Sequence, residues 1–341
     1  MERVLVSGSA GFISGYVVAQ LLDRGYEVIG VDNFSKYGEV RKSYDDHPRY
    51  RFIRGDARDT ELMTELLADC DHFVAAAAMI GGISYFHTYA YDLLATNERI
   101  IAASCDAAIA AHRQGRLRKV TYVSSSMVFE NADEWPSYEG QQREIPPPMS
   151  SYGFQKLAVE YFARAAWDQY KLPFTLVRPF NCVGIGESRA IGGREILSGN
   201  VELAMSHVVP DLVQKVLKGQ DPLHILGSGD QVRHYTYGGD LAAGLVTAME
   251  RAEAWNEDFN VSTAEGTTVR ELAALIWRKV KGDAVPLRLA HDDPFPYDVQ
   301  RRVPDTEKAK KLLGFEATTT LDQMLDEVIP WIDAAIRAGT I

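Results

Sequence analysis

At 341 residues, 46% of them hydrophobic and 24% charged, the chain has enough apolar material for a large core and for two lobes. A net charge of −11 counts against broad nucleic-acid binding and against attraction to anionic membranes, and no apolar run approaches the ~20 residues of a membrane span. Cys70, Cys105 and Cys182 are odd in number and lack metal-type spacing, and the eight histidines contain no H-x-x-x-H pair, so free thiols in a reducing cytoplasm and no metal are expected.

The first predicted strand, 4–7, begins close enough to the N-terminus to leave no room for a signal peptide. It runs into Gly8-Ser9-Ala10-Gly11-Phe12-Ile13-Ser14 and a helix over 16–24. Glycines let a backbone approach a pyrophosphate, and a helix beginning just after them offers its N-terminal amides to the charge. The spacing is G-x-x-G, with Ser14 where a third glycine is usual; serine is small enough for close strand–helix packing. The second strand, 27–31, ends in Asp32, an acid placed to accept hydrogen bonds from ribose hydroxyls and to repel a 2′-phosphate. NAD is therefore expected over NADP, although Lys36 and Arg41 nearby leave the phosphorylated form open.

Strands at 50–53, 72–76, 119–124 and 174–178 then alternate with helices at 60–68, 92–113 and 152–170. This rhythm predicts a doubly wound parallel sheet of the Rossmann type, whose ligands lie at the carboxyl ends of the strands. Gly8, Asp32, Asp56, Ala77 and Ser125 all come just after predicted strand ends. After Pro179 the rhythm changes: 181–233 is glycine-rich with a helix at 208–218, and 238–251 returns to the sheet ahead of a strand at 258–262. A helix at 269–281, a proline-rich loop and a helix from 321 complete the chain. The fold class is α/β: a Rossmann domain over 1–180, joined by returning segments near 234–265, and a smaller substrate-binding lobe from 181–233 and 266–341. The helices at 92–113 and 152–170 carry enough Ala, Leu and Tyr for a helix-pair homodimer interface.

The second of these helices opens with Tyr152-Gly-Phe-Gln-Lys156, about two dozen residues after Ser124-Ser125-Ser126. Residues four apart share one helix face, and an ammonium beside a phenol is expected to lower its pKa from about 10. Such a phenol can take a proton from a sugar hydroxyl while a nicotinamide takes the hydride. Y-x-x-x-K alone is common in helices; the glycine turn and the serine run give it weight.

With these pieces in place, the chain resembles the extended short-chain dehydrogenase/reductases, in particular the NAD-dependent nucleotide-sugar epimerases and dehydratases. The resemblance spans nearly the whole length. Beyond the motifs above it includes Gly55-Asp56-Ala57-Arg58-Asp59, Arg178-Pro179-Phe180-Asn181, Gly229-x-x-x-Arg233 and Arg302-Val303-Pro304-Asp305. It implies that Gly8, Gly11, Phe12, Ile13, Asp32, Asn33, Asp56, Ala57, Ala75 and Ala77 bind NAD with Tyr152 and Lys156, and that Ser125, Tyr152 and Lys156 are catalytic. For a nucleotide-diphosphate sugar it implies contacts from Gly82, Ser126, Met127, Asn181, His207 and Val208, with Arg233 and Arg302 clamping the diphosphate.

Oxidation at C4 is common to the family, and the residues beside Ser125 select the chemistry of the keto sugar. Sugar 4,6-dehydratases resemble one another in an Asp-Glu pair after the catalytic Thr or Ser, and decarboxylating relatives carry Glu two positions on. Here these positions are Ser126 and Met127, neither a general acid or base near neutral pH. The run from Ala77 to Ile83, with Gly81-Gly82, is similar to the glycine-rich loop of GDP-mannose 3,5-epimerase, and Gly192-Gly193-Arg194-Glu195 echoes another piece of it. The Cys and Lys of that enzyme correspond to Met127 and Ile196, so its acid/base pair is missing. C4 epimerisation through a transient 4-keto sugar is the leading expectation. The alternatives are a 4-ketoreductase, a 3,5-epimerase-like enzyme, and a non-catalytic NAD-binding sensor or scaffold.

Overall fold

The computed structural model describes the chain apart from residues 82–88, 188–189, 191–195, 204–206 and 295–298, and apart from the side chains at 196, 197, 202 and 203. Strands and helices alternate from the start: β1 (Arg3–Ser7), α1 (Phe12–Asp23), β2 (Glu27–Asp32), β3 (Tyr50–Arg54), α2 (Thr60–Leu67) and β4 (His72–Ala75). Next come α3 (Ala90–Arg113), β5 (Lys119–Val123), α4 (Ser151–Tyr170) and β6 (Phe174–Pro179). The later part holds β7 (Cys182–Val183), β8 (Ile196–Ser198), β9 (Val201–Leu203), α5 (Val208–Leu217), β10 (Leu223–Leu226), β11 (Val232–Arg233) and β12 (Thr236–Tyr237). It continues with α6 (Gly238–Glu250), β13 (Glu257–Val261), β14 (Thr267–Thr268), α7 (Val269–Lys281), β15 (Leu289–Asp292), α8 (Glu307–Leu313) and α9 (Leu321–Arg337).

Seven strands form one parallel sheet in the order β13-β6-β5-β4-β1-β2-β3. The central strands β5 and β6 are buried along their whole length, as expected of a sheet covered on both faces. At the edge, β3 turns Arg51 and Arg54 to solvent, which discourages pairing with another chain. The chain order reverses at β1, between β2 and β4, and the crevice outside the carboxyl ends of these strands is where such sheets bind ligands.

One face of the sheet packs α1 and α6 through Val17, Leu21, Leu241 and Leu245, with Leu313 and Phe315 from the region of α8. The other face packs α2, α3 and α4 through Leu67, Ile101, Ala108 and Val159. A third apolar cluster stands apart and joins α5, α7 and α9 through Leu212, Val213, Leu272, Ile276, Leu325 and Val328. Burying each such side chain contributes roughly 1.5–3 kcal/mol. Among the described residues no helix is long and apolar enough to cross a membrane.

The predicted strands and long helices appear within a few residues of their expected limits. One difference bears on the site: α1 starts at Phe12 instead of 16, because Gly11 adopts an extended cap (φ −68°, ψ 174°) that leads straight into the first turn. The short α8 and the two-stranded pairs β7–β12, β8–β9, β10–β15 and β11–β14 had no predicted counterpart.

Buried charges also fix the position of α4. Glu160 accepts two hydrogen bonds from Arg178 of β6, at 2.6 and 2.7 Å. The same guanidinium reaches Asp258 of β13 at 2.6 Å, and Lys308 of α8 closes on that carboxylate at 3.1 Å. Arg178 is fully buried and Glu160 nearly so, hence each requires the other.

Candidate active site

The site begins where β1 ends. Gly8 has φ +72°, open to glycine at little strain, and a Cβ there would stand 2.8 Å from the Cα of Ala77. A Cβ on Gly11 would lie 2.9 Å from the Gly8 carbonyl oxygen. Gly11 caps α1 with no side-chain hydrogen bond, leaving the first-turn amides, including those of Phe12 and Ile13, for an anionic ligand. Ser14 is buried in that first turn. The loop after β2 folds back over the turn: Tyr44 Oη donates to the Ser9 carbonyl at 3.2 Å and Lys42 Nζ to the Gly11 carbonyl at 3.3 Å.

Asp32 ends β2, and its carboxylate accepts from the Ala10 amide at 3.1 Å and the Phe34 amide at 2.8 Å. Asn33 donates to Asp56 at 3.2 Å. Asp56 is held chiefly by Arg58, whose Nε and Nη2 reach it at 2.9 and 2.6 Å and whose hydrogen bonds bring its pKa down to about 2. Ala57 is buried behind Asp56, and Ala75 closes β4. The amides of Ala76 and Ala77 both donate to Ser7 Oγ at 3.2 Å. These residues line the carboxyl edge of the sheet. Glycines without room for a Cβ, an uncapped helix start and an acid at the next strand end together suit a dinucleotide.

Ser125, Tyr152 and Lys156 converge beside this edge. Ser150 caps α4, accepting from the Gly153 amide at 3.0 Å, so Tyr152 lies in the first turn and Lys156 one turn further. The Tyr152 and Ser125 hydroxyls are hydrogen-bonded. Ser125 Oγ also accepts from the Met127 amide at 3.2 Å, which fixes the short turn over Ser126–Phe129. Lys156 Nζ lies 6.0 Å from the centre of the Tyr152 ring and donates to the Val123 carbonyl at 2.8 Å. Burial lowers the lysine to about 8.

One expectation requires correction. Burial holds the Tyr152 phenol above its ordinary value, and the groups that draw it down are Ser125 and the positive charge of Arg302. The lysine, lowered by burial, gives up its proton before the raised phenol ionises, so its proximity in sequence does not become the expected lowering of the phenol.

The substrate side is more dispersed. Met127 packs with Leu93 and Tyr152, and Ile80 and Val299 lie against them; Ser126 is buried alongside. Asn181 takes φ +38° just beyond β6, and its buried Nδ2 has no hydrogen-bond partner among the described residues. Arg233 and Arg302 are neighbours: the Arg302 amide donates to the Val232 carbonyl at 3.3 Å, and both positive charges act on buried Tyr235. Val208 opens α5, whose cap, His207, provides no side-chain bond. His207 Nδ1 instead meets Glu187 Oε1 at 2.6 Å, a buried partner with no sequence signal. Gly82 and the 192–195 stretch lie outside the described residues. Sequence reasoning also passed over Tyr16, whose hydroxyl accepts from the Ile185 amide at 2.8 Å and whose ring fills the space in front of Gly184 and Gly238.

A family model described as the NAD dependent epimerase/dehydratase family matches residues 4–262. A putative UDP-glucose 4-epimerase of Methanocaldococcus jannaschii is 26% identical over 96% of this chain and 98% of its own length. The crystal structure of UDP-glucose 4-epimerase from Thermotoga maritima with UDP-glucose superposes with a TM-score of 0.80 at 28% identity, covering 98% of this chain and 99% of that one. UDP-glucuronic acid 4-epimerase from Bacillus cereus, in complex with UDP-glucuronic acid and NAD, shares the fold at 23% identity and a TM-score of 0.80, covering 97% and 99% of the two chains.

Proposed function

The chain belongs to the NAD-dependent epimerase/dehydratase family, and within it we propose that it inverts C4 of a nucleotide-diphosphate sugar through a transient 4-keto sugar. The observation that carries this reading is the grouping of Ser125, Tyr152 and Lys156 next to Ser126 and Met127, which bring no group for elimination. Gly8, Gly11, Phe12 and Ile13 would hold the pyrophosphate of NAD, Asp32 and Asn33 the adenosine ribose, and Asp56 and Ala57 the adenine. Ala75 and Ala77 would border its path towards Tyr152 and Lys156. Bound there, NAD supplies acceptance and return of a hydride at the sugar carbon. Tyr152 takes the hydroxyl proton and later returns it, Ser125 orients the hydroxyl, and Arg302 favours the phenolate at the moment it is needed.

Asn181, Arg233 and Arg302 would grip the diphosphate; the orphaned Asn181 amide and the adjacent arginines support this. His207, Val208 and Gly82 would complete the contacts to the nucleotide sugar. UDP is the nucleotide to test first, because the Thermotoga maritima and Bacillus cereus structures named above hold UDP-sugars. In this reading 1–180 with 234–265 serves the cofactor, and 181–233 with 266–341 serves the substrate. The molecule acts as a dimer through α3 and α4, whose exposed Tyr91, Phe154 and Tyr161 support an apolar helix-pair contact. Three free cysteines suit the cytoplasm.

Incubation with UDP-hexoses in D₂O and NMR of the product test the chemistry. The expected product has the substrate's formula, is inverted at C4 and carries no deuterium at C3 or C5. Deuterium at either carbon would replace this reading with a 3,5-epimerase-like one, and stoichiometric use of NADH with a ketoreductase.

A further inference from the structure

Between the carboxyl edge of the sheet and the α3–α4 pair lies a cavity of about 10 Å³, close to the room one water molecule needs. Ser7, Asn97, Ser104, Gln155 and Lys156 line it among aliphatic side chains. Gln155 is only 2% exposed, and its Oε1 has no hydrogen-bond partner among the described residues. Lys156 has three N–H donors and places one on the Val123 carbonyl. An amide oxygen buried without a partner is expensive, and Lys156 can spare one donor for it while keeping another for the cofactor. Two other polar side chains of the wall are already committed: Asn97 exchanges hydrogen bonds with the backbone of Met79 at 2.7 and 2.9 Å, and Ser7 Oγ accepts from Ala76 and Ala77.

We infer that the cavity holds an ordered water that accepts from Lys156 Nζ and donates to Gln155 Oε1, making Gln155 a positioning residue for the lysine. Val123 then secures the ammonium from the strand and the water secures it from inside α4. Hydrogen bonding to the charged form also opposes the burial that works against it. The water site needs only the fold; its consequence for turnover rests on the function proposed above.

The test compares Gln155→Met, which keeps the side chain's bulk without its acceptor, with Gln155→Glu, which retains an acceptor. NMR titration of ¹³C-labelled lysine reads Lys156 directly, without substrate or cofactor. Burial alone would set the midpoint at about 8; with the water the wild type is expected above that value, falling by about one pH unit in Gln155→Met and not falling in Gln155→Glu. In turnover, the alkaline limb of kcat moves to lower pH in Gln155→Met with KM unchanged. A high-resolution crystal structure of the wild type is expected to show the water, a check that stands even if Gln155→Met does not fold. A dry cavity, or a Lys156 midpoint in Gln155→Met equal to wild type, overturns the inference and leaves the proposed reaction standing. Failure of every nucleotide sugar to react, with the midpoint shift present, does the reverse.

Discussion

Lys156 reaches from α4 to the carbonyl of Val123, the last residue of β5, across 2.8 Å. The bond ties the helix that carries the phenol to the strand that leads into Ser125, so the lysine contributes geometry as well as charge. We therefore expect Lys156→Met to lose turnover, to weaken NAD binding and to lower the melting temperature.

Tyr152→Phe separates chemistry from structure, because it removes only a hydroxyl from a side chain that stays packed against Leu93 and Met127. Turnover is expected to fall by about 10²-fold or more while NAD binding and thermal stability are kept. Steady-state rates beside calorimetric NAD titration check this. Near-normal rates would remove Tyr152 from the mechanism.

Asp32→Ala removes the acid expected to bond the ribose and repel a 2′-phosphate, and with it the acceptor for the Ala10 and Phe34 amides. NAD binding is expected to weaken and the preference over NADP to narrow. Calorimetric titration of both cofactors into wild type and variant gives the answer, and equal or tighter NADP binding by the wild type would defeat the assignment.

Asp258 is held well below the usual carboxylate range; burial acts against this, and the charges of Arg178 and Lys308 prevail. A depressed carboxyl contributes stability that is complete above its unfolded pKa of about 3.9 and is lost as pH falls towards the folded value. Asp258→Asn leaves part of the Arg178 charge unanswered and is expected to destabilise by roughly 3 kcal/mol at pH 7. Urea unfolding at pH 7, 4 and 3 should show the gap between wild type and variant closing as the solution becomes more acidic. A constant gap would deny Asp258 its ionic role.

Lys119 is fully buried in β5 and donates to the Ala248 carbonyl at 2.8 Å, satisfying one of the last-turn carbonyls of α6. Burial lowers it to about 7. The unfolded chain holds this proton up to about pH 10.4, so between the two values the unfolded state binds more protons and folding stability rises with pH. Lys119→Met should lack that rise. Unfolding midpoints at pH 6.5, 8 and 9.5 compare the slopes, and parallel slopes would show that Lys119 does not titrate in this window.

The parts legible in the sequence are those whose chemistry is local. Gly8, Gly11 and Asp32 declare themselves by their places at strand ends, and Tyr152 and Lys156 by sharing a helix turn. The state of the phenol is not local: burial by the assembled fold raises it, against the direction the sequence suggested, and the opposing charge comes from Arg302, 150 residues further on. Glu187 meets His207 at a separation of 20 residues, which matches no helix or strand spacing that could be read in advance. The helix Glu307–Leu313 is too short for an apolar stripe to stand out. In contrast, the Thr268–Glu271 and Thr320–Gln323 capping boxes that open α7 and α9 obey a spacing written in the chain.

The Glu160–Arg178–Asp258–Lys308 chain of charges has a bearing on synthesis. Every group proposed to act in catalysis has been translated by residue 156, yet the second carboxylate on Arg178 arrives 80 residues after that arginine, and Lys308 50 residues later still. A nascent chain halted before β13 would contain all of these groups with the buried Arg178 guanidinium bonded to Glu160 alone, lacking its second carboxylate partner. Such a chain, released by a stop codon after residue 250, is expected to be inactive and to be captured by chaperones, because it lacks β13 and leaves the buried ion cluster under the helix bearing Tyr152 incomplete.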